Sequence, residues 1–224
     1  MAKNKLHRFS QIHTFSNVVQ PGDHYPCPDH PMRGQWNEDF FYNDHPIILE
    51  IGCGKGEYTL GLAKAFPERN FIGIDIKGDR LWKGAKSALE QGLQNVAFLR
   101  IQAERINHFF AEQEVSEIWL TFPDPQPQES RIRKRLMYPA FLKRYRHILQ
   151  PNGLIHLKTD SRFLFEYALQ VIEQEGHKLL QHSFDLYHDP AIEEHGVKDI
   201  QTYYEGKYLE EGLPIHYLQF RLKD

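Results

Sequence analysis

Two carboxylates and a glycine-rich turn stand at the ends of the first two apolar runs of the chain. Glu50 precedes the turn Gly52-Cys53-Gly54-Lys55-Gly56, and Asp75 closes the next apolar run 23 residues beyond Gly52. Gly52 and Gly54 let a backbone turn tightly and approach a ligand without a Cβ in the way. A carboxylate about 20 residues beyond such a turn is typical of a ribose-binding group. The pattern favours a nucleoside site; a plain strand-to-helix connection and a helix-capping Asp75 are the structural alternatives.

The charges around the turn indicate which nucleoside would bind. A dinucleotide fingerprint requires another glycine three residues after Gly54, so that a helix N-terminus can accept a pyrophosphate. That position is Glu57. A carboxylate there repels a diphosphate, whereas Glu50, Glu57 and Asp75 suit a ligand with an ammonium and a sulfonium and no phosphate. This description fits S-adenosylmethionine (SAM). Gln102, after the third apolar run, is either a group that reads the adenine edge or an ordinary exposed residue.

Two further carboxylates follow the fourth and fifth apolar runs. In Phe122-Pro123-Asp124-Pro125 the two prolines restrict the backbone on both sides of Asp124 and present its carboxylate in a set direction. Asp160 ends the segment Lys158-Thr159-Asp160. A stiff turn without a ligand is the alternative for Asp124. Because parallel strands bring their carboxyl ends to one edge of a sheet, we expect these acids to share a rim with Glu50 and Asp75.

Two acid-free stretches contain cations that could hold a polyanion. Residues 1–22 contain Lys3, Lys5 and Arg8. A second run contains seven cations, which are Arg131, Arg133, Lys134, Arg135, Lys143, Arg144 and Arg146. Such a run is either a solvated helix face or a phosphate-binding surface. The formal net charge of −3 argues against a protein that is basic overall, so phosphate binding would be confined to patches.

Composition is that of a globular protein with a single core. The 224 residues are 41% hydrophobic and 25% charged, without an apolar run of the roughly 20 residues that span a bilayer. The basic N-terminus lacks the apolar stretch of a secretory signal, so we expect a cytoplasmic location. Cys27 and Cys53 form no disulfide framework. The motif from His24 to His30, HYPCPDH, has metal-like spacing but no second ligand pair elsewhere, and we expect no metal site.

Apolar runs and helical patterns alternate from Ile47 onward, which predicts an α/β fold with a mostly parallel sheet. Five strands are predicted from PIILEIG, NFIGIDI, NVAFLRI, SEIWLTF and GLIHLKT, with a helical stretch near residues 106–113 between the third and fourth. Two more strand candidates, residues 177–187 and 214–222, flank a helical stretch near 203–211. We therefore predict seven strands with an antiparallel C-terminal hairpin. Residues 1–45 are predicted to be a basic, partly mobile arm and residues 46–224 a single domain.

These motifs together resemble the bacterial tRNA (guanine-N7)-methyltransferase family, which modifies guanosine 46 in the variable loop. The resemblance runs from about Ile47 to Phe220 and rests on LEIGCGKGEYTLGLA, FIGIDI, FPDP with the basic run, LKTD, and TYYEGKYLEEGLPIHYLQF. FPDP together with the T-x-x-E segment is far more specific than the glycine turn. The resemblance implies a class I SAM-dependent methyltransferase (Rossmann-like) fold, SAM as cofactor and tRNA as substrate.

The resemblance also implies roles for individual residues. It implies cofactor contacts from Glu50, Asp75 and Asp124, beside Gly52, Gly54 and Gln102. It implies substrate contacts from Asp160 and from the segment Thr202, Tyr203, Tyr204 and Glu205. The family's loop continues after FPDP with Trp and then Lys or Arg, whereas this chain has Gln126, Gln128, Glu129 and Ser130. We expect Arg131 or Arg133 to supply the missing charge toward the substrate.

Methyl transfer to guanine N7 needs no general base, because N7 carries an in-plane lone pair and no proton. The enzyme must mainly hold both reactants in line, with the reacting atoms about 3–3.5 Å apart. Asp124 and Asp160 are the catalytic candidates, as acceptors for the guanine N–H groups and counter-charges for the cationic product. Other interpretations are a class I methyltransferase with another RNA or protein substrate, and a tRNA-binding protein with weakened catalysis. A nicotinamide dehydrogenase is disfavoured by the missing glycine.

Overall fold

The apolar runs form the strands of one sheet. The computed structural model describes residues 2–21, 29–192 and 196–223. Eight strands pair in the order β1-β4-β3-β2-β5-β6-β8-β7. The strands are β1 (Val18–Val19), β2 (Ile47–Ile51), β3 (Asn70–Ile74), β4 (Val96–Leu99), β5 (Val115–Thr121), β6 (Leu149–Thr159), β7 (Lys178–Ser183) and β8 (His216–Arg221). The helices are α1 (Ala2–Ile12), α2 (Glu57–Ala65), α3 (Gly78–Glu90), α4 (Pro139–Ile148), α5 (Arg162–Gln174) and α6 (Tyr203–Glu210).

The strand order reverses beside β2, and this reversal positions the site. The chain runs outward from β2 through β3 to β4, then returns to place β5 on the other side of β2 and β6 beyond it. All four of these pairings are parallel. In such a sheet a crevice opens outside the carboxyl ends of the strands where the order reverses. The acids predicted to share a rim all lie at this edge.

All seven predicted strands are present, and the C-terminal hairpin is confirmed: β8 pairs antiparallel with β6 and β7. The eighth strand, β1, comes from the N-terminal region and pairs parallel with β4. It covers an edge that would otherwise expose unpaired backbone groups, because the amides of Phe98 and Arg100 donate to the carbonyls of Asn17 and Val19. The helical stretch predicted near residues 106–113 is instead a 3₁₀-helix at Ala103–His108.

Side chains of the N-terminal region take part in the core. Ile12 and Trp36 are fully buried. The Trp36 ring stacks on Phe110 with 5.5 Å between ring centroids, and its indole N–H donates to the carbonyl of Phe109 at 2.8 Å. A π-helical segment at Trp36–Phe41 carries these contacts. The division into an arm (residues 1–45) and a domain stays a prediction. Aromatic residues of the arm region pack in the apolar layer on one face of the sheet.

Two apolar layers cover the two faces of the sheet, as strand alternation requires. Ile47, Leu49 and Ile51 face one layer, with α4 and α5, while Ile48 faces the other, with α1, α2 and α3. Glu50 shares the face of Ile48 and so points toward α2. In the ranges that the structure describes, no helix has the length and apolar character needed to cross a membrane.

Candidate active site

Two adjoining cavities open at the carboxyl edge of the sheet and share Gly52. The first, about 150 Å³, is lined by Glu50, Lys55, Glu57, Arg80, Thr121 and Tyr204 among others. The second, about 300 Å³, is lined by Asp75, Gln102 and the apolar side chains of Ile76, Ile101 and Leu136. The first cavity therefore combines the carboxylates of Glu50 and Glu57 with two cations, and its neighbour combines the carboxylates of Asp75 and Glu104 with apolar walls.

Glu50 forms the floor of the first cavity. Its carboxylate is buried and accepts the Thr59 amide in the first turn of α2 at 2.8 Å, together with the hydroxyls of Thr59 and Thr121. Burial raises the pKa of Glu50 to about 7, although these hydrogen bonds favour the ionised form. A carboxylate held in this way gains most from a cationic ligand, because a nearby positive charge offsets the cost of burial.

Asp75 joins the glycine turn to the second cavity. Its Oδ2 accepts the Gly54 amide at 2.9 Å, and its Oδ1 accepts the Lys77 amide at 2.8 Å, just before α3. Gly54 adopts a positive φ of 57°, and a Cβ at Gly56 would approach the Phe98 ring to 2.5 Å. The turn therefore requires glycine, and Asp75 both stabilises it and faces the cavity. The helix-capping alternative for Asp75 is wrong, because the N-cap of α3 is Lys77 and no side-chain cap bond is present there.

Gln102 stands where the sequence pattern predicted it. It is exposed, precedes the 3₁₀-helix Ala103–His108, and lines the second cavity with Asp75. Its backbone carbonyl accepts the Arg105 amide at 3.0 Å, and no side-chain cap bond is present at this position. Gln102 therefore shares this cavity with Gly52 of the glycine turn.

Asp124 lies in a stiff, strained loop. Its side chain is exposed, and its Oδ1 accepts the amide of Gln126 at 3.1 Å. Phe122 and Gln126 adopt positive φ values of 48° and 44°, which non-glycine residues rarely adopt. The Phe122 amide donates to the carbonyl of Lys158 at 2.8 Å and so holds the loop to β6. Backbone strain of this kind clusters at functional loops.

Asp160 lies at the end of β6 on the same edge. Its side chain is half-buried, and burial raises its pKa. Burial raises the pKa of the Tyr208 phenol in α6, and the charge of Asp160 adds to this rise. The Tyr208 ring lies 6.1 Å from the Phe122 ring, measured between centroids. The structure thus brings Asp160, the proline loop and α6 to one side of the cavities.

Thr202 and Tyr204 line the first cavity, and Tyr203 stands between them in the chain. Thr202 caps α6, and the Tyr203 amide donates to Glu57 Oε2 at 2.8 Å. The two tyrosine rings meet edge to face at 5.6 Å and are 56% and 52% exposed. The ammonium of Lys55 lies 5.3 Å from the Tyr203 ring and 5.9 Å from the Tyr204 ring. Exposed aromatic faces beside a cation suit the stacking of a nucleobase.

The substrate contact expected from Glu205 does not fit this structure. The Glu205 side chain is completely buried, and its carboxylate is paired with the ammonium of Lys158 at 2.7 Å. Its second oxygen closes the capping box of α6 by accepting the Thr202 amide at 3.2 Å. Glu205 therefore holds the segment that carries Tyr203 and Tyr204 and does not itself reach the cavity.

The basic run divides into exposed and internal cations. Arg131, Arg133 and Lys134 are exposed on a 3₁₀-helix at Glu129–Lys134. Arg135 is buried; it donates to the carbonyls of Gln126 and Pro127, at 3.0 and 3.4 Å, and stacks on Phe163 and Tyr167.

Arg144 is also engaged with its own chain, because it donates to the carbonyls of Ala140 and Glu104 at 2.7 and 3.1 Å. The sequence pattern left two interpretations for all seven cations, a solvated helix face and a phosphate-binding surface. Both are wrong for Arg135, because its side chain is buried, whereas Arg144 is only half-buried. Arg131, Arg133 and Lys134 present their charges to solvent beside the cavities.

The sequence analysis missed three residues of the site. Thr59 and Thr121 bind the Glu50 carboxylate, and Arg80 lines the first cavity. Arg80 continues into a stripe on α3, because Lys77 and Lys83 are three residues away on either side and all three are exposed. The i, i+3 spacing of cations directly after Asp75 was the available signal.

The metal-like motif lies only partly within the described chain. His24 and Cys27 fall outside the described residues. His30 packs against Phe109, with 5.0 Å between ring centroids, and Asp29 pairs with Arg33 at 3.6 Å. Within residues 2–21, 29–192 and 196–223, no group of three or more His, Cys, Asp or Glu side chains could hold a metal. Cys53 is a free, buried thiol, and burial raises its pKa well above the usual range.

Comparison with known proteins identifies the class that this fold and site define. The fold resembles that of the 16S rRNA methyltransferase KamB, with a TM-score of 0.63, 17% identity, and coverage of 84% of this chain and 92% of that one. It also resembles a SAM-dependent methyltransferase from Aquifex aeolicus, with a TM-score of 0.56, 14% identity, and coverage of 96% and 98%. The chain has the class I methyltransferase fold, and its double cavity, with buried Glu50 in one half and Asp75 in the other, fits SAM as the cofactor.

Sequence relatives narrow the class to a family. The family model described as "Putative methyltransferase" matches residues 44–218. The tRNA (guanine-N(7)-)-methyltransferase of Christiangramia forsetii is 51% identical over 99% of each chain. That of Porphyromonas gingivalis is 53% identical over 86% of this chain and 78% of its own length. The chain belongs to the tRNA (guanine-N7-)-methyltransferase family.

Proposed function

We propose that this protein transfers a methyl group from SAM to N7 of guanosine 46 in the variable loop of tRNA. The observation that carries the proposal is a single edge of the sheet that combines three features. These are a double cavity with carboxylates in both halves, an exposed tyrosine pair next to it, and exposed cations on the segment after the proline loop. A cavity for a cationic nucleoside thus adjoins a surface suited to a nucleobase and its phosphates.

Each cavity would hold a different part of the cofactor: the first the methionine moiety, and the second the ribose and adenine. Glu50 would bind the ammonium of the methionine moiety, because a buried carboxylate with a raised pKa gains most from a positive partner. Asp75 would bind the ribose, and Gln102 with the apolar side chains of Ile76 and Ile101 would enclose the adenine. Bound SAM supplies an electrophilic methyl group on its sulfonium. We therefore assign Glu50, Gly52, Gly54, Asp75 and Gln102 to cofactor binding, with Asp124 at the rim.

The guanine would be held by stacking and by carboxylates. Tyr203 and Tyr204 offer exposed faces, and stacking on an aromatic ring contributes about 1–3 kcal/mol per base. Asp160 and Asp124 lie on the same edge as acceptors for the N1–H and N2 amine of guanine. Positive charge develops on the base as N7 is methylated, and a nearby carboxylate stabilises that charge. The base attacks unaided, since N7 has no proton to lose.

The tRNA phosphates would be bound on both sides of the cavities. Arg131 and Arg133 lie exposed after the proline loop, while on α3 Arg80 lines the first cavity and Lys83 is exposed three residues later. A loop nucleotide is an accessible target because it can leave its neighbours at low cost. A tRNA substrate agrees with a cytoplasmic location. The proposal requires no protein partner.

One assay tests the proposal. Purified protein is incubated with tritiated SAM and unmodified tRNA transcript, and the product is treated with borohydride and aniline, which cleave at 7-methylguanosine. We expect label and cleavage at guanosine 46, and none with a transcript in which that guanosine is replaced by adenosine. Label at another base or on protein would favour a different methyltransferase, and tRNA binding without label would favour a binding protein; either result refutes the proposal.

A further inference from the structure

Lys158 is a charged side chain in the interior of the protein. It stands in β6 two residues before Asp160 and has no exposed surface. Its ammonium donates to Glu205 Oε1 at 2.7 Å, to the Val197 carbonyl at 2.5 Å and to the Ile200 carbonyl at 3.1 Å. Burial lowers the pKa of Lys158, and Glu205 opposes this shift. An ammonium has three donors, and all three are used.

The Glu205 carboxylate is equally engaged. Its Oε1 accepts the ammonium of Lys158 and the phenol of Tyr187 at 2.8 Å, and its Oε2 accepts the Thr202 amide at 3.2 Å. The Glu205 amide in turn donates to the Thr202 hydroxyl at 3.2 Å. One carboxylate therefore connects a central strand of the sheet to the first turn of α6.

The segment held by this pair includes Thr202 and Tyr204, which line the first cavity. Between Thr202 and Glu205 stand only Tyr203 and Tyr204, whose rings are exposed. The opposite side of the same turn is fixed when the Tyr203 amide donates to Glu57 at 2.8 Å. Lys158 therefore sets where the tyrosine pair lies relative to Glu50 and Asp160 without touching either cavity.

We propose that Lys158, through its buried ion pair with Glu205, is a positioning residue for the guanine-binding turn Thr202–Tyr204. The inference rests on the proposed function and deepens it by naming what holds the substrate side of the site. An ion pair suits this task better than an apolar contact, because an ammonium with three acceptors in set directions specifies one geometry. An apolar contact at the same place would let the turn shift.

The test separates the substrate side from the cofactor side. Lys158→Met leaves Glu205 as a buried charge without a counter-ion, so the turn must move or unfold. A displacement of about 1 Å costs on the order of 100-fold in rate. We expect kcat/KM for tRNA to fall by about 100-fold. We expect the Kd for S-adenosylhomocysteine, measured by calorimetry, to change by less than about tenfold, because the turn forms part of one cavity wall whereas the proposed cofactor ligands Glu50 and Asp75 lie on other strands.

The double variant Lys158→Met with Glu205→Gln removes both charges and keeps an acceptor for the Thr202 amide. We expect it to recover at least about tenfold in kcat/KM over Lys158→Met, because no charge is left unpaired. Glu117→Gln is the matched control. It breaks another buried network, with His156 at 3.3 Å and Arg69 at 3.5 Å, at the opposite end of the sheet. It should leave kcat/KM for tRNA unchanged.

Hydrogen exchange makes the test independent of catalysis. The amides of Tyr203, Glu205 and Gly206 are all donors in the turn. They should exchange faster in Lys158→Met, while the amides of α5 keep wild-type rates. All assays are run well below each variant's Tm. Wild-type kcat/KM in Lys158→Met, a parallel loss of S-adenosylhomocysteine affinity, unchanged exchange, or a double variant no better than the single would each overturn the proposal. Wild-type protein inactive on tRNA would instead refute the proposed function, and exchange would still decide the role of Lys158.

Discussion

Glu50 should couple cofactor binding to pH. Its pKa of about 7 means that near neutrality the empty site holds a mixture of protonated and ionised carboxyl groups. A ligand ammonium beside it favours the ionised form, because the positive charge replaces part of the solvation lost on burial. Binding must therefore release a proton whenever the carboxyl group is protonated beforehand.

The pKa sets the size of the effect. If only ionised Glu50 binds the ligand well, the apparent Kd exceeds its limiting value by a factor of 1 + 10^(pKa − pH). For a pKa of about 7, this factor is about 30 at pH 5.5 and about 2 at pH 7, so affinity should rise about 15-fold over that interval. Measurements stay below pH 7 because the amine of the ligand itself titrates near pH 8.

Calorimetry with S-adenosylhomocysteine, in buffers of different ionisation enthalpy, measures both the Kd and the protons released. Glu50→Gln keeps a side chain of the same shape that cannot ionise. At pH 7 it should bind about tenfold more weakly than the ionised wild-type site, since a charge-assisted hydrogen bond is worth about 1–2 kcal/mol more than a neutral one. At pH 5.5 the order should reverse, because the wild-type Kd then exceeds its limiting value about 30-fold whereas that of Glu50→Gln stays about tenfold above it.

The free energy of unfolding of the protein without cofactor should fall as pH rises, whereas the affinity for the cofactor should rise. The folded pKa lies above the ordinary value of 4.5, so the folded state keeps a proton that the unfolded chain releases. The contribution of Glu50 is full below about pH 4.5 and is lost as pH rises to about 7, amounting to about 3 kcal/mol. Glu50→Gln should remove this loss. A wild-type Kd that is flat from pH 5.5 to 7, or a Glu50→Gln variant that keeps the slope, would refute the reasoning.

Three further predictions concern the other edge residues. Asp75→Ala should weaken S-adenosylhomocysteine binding by about 10-fold or more and leave tRNA affinity unchanged; equal losses in filter binding and calorimetry would contradict its ribose assignment. Replacing Arg131 and Arg133 with Ala should lower the slope of log K for tRNA against log salt by about 1 for each phosphate that is no longer neutralised, whereas an unchanged slope would remove them from the interface. Asp160→Asn should lower kcat by about 10- to 100-fold with an unchanged solvent isotope effect. A new isotope effect would reveal a proton transfer that N7 attack does not require.

Much of the fold, and the cofactor-binding part of the site, could be predicted from the local sequence. Strands buried on both faces are continuous apolar runs, so the five parallel strands and the two C-terminal strands could be predicted from residue type alone. Glu50 and Asp75 could be predicted because they sit at fixed offsets from a glycine turn, and chemistry at strand ends is constrained by topology. The short strand β1 could not be predicted in this way. Its two residues form a strand only because they pair with the edge of β4.

Charged residues were where prediction from sequence failed. Glu205 and Lys158 both look like surface or substrate groups in the sequence, and they are 47 positions apart. Only the folded chain shows that they neutralise one another in the interior. Arg135 resembles its neighbours Arg133 and Lys134 in sequence, yet it is the one that turns inward to hold the proline loop. Whether a charge is solvated or buried depends on what packs over it, and that information is not local.

The primary structure on its own determined the order of strands and helices, the glycine turn and the acids at the strand ends, because each depends on a few neighbouring residues. The tertiary structure alone decided which of those groups face a shared cavity, which cations reach solvent, and which buried pair holds the tyrosines in place. The physical reason is the distance along the chain over which each effect acts. Backbone conformation and hydrophobic periodicity act over a few residues, whereas desolvation and ion pairing depend on groups that come together only when the chain has folded.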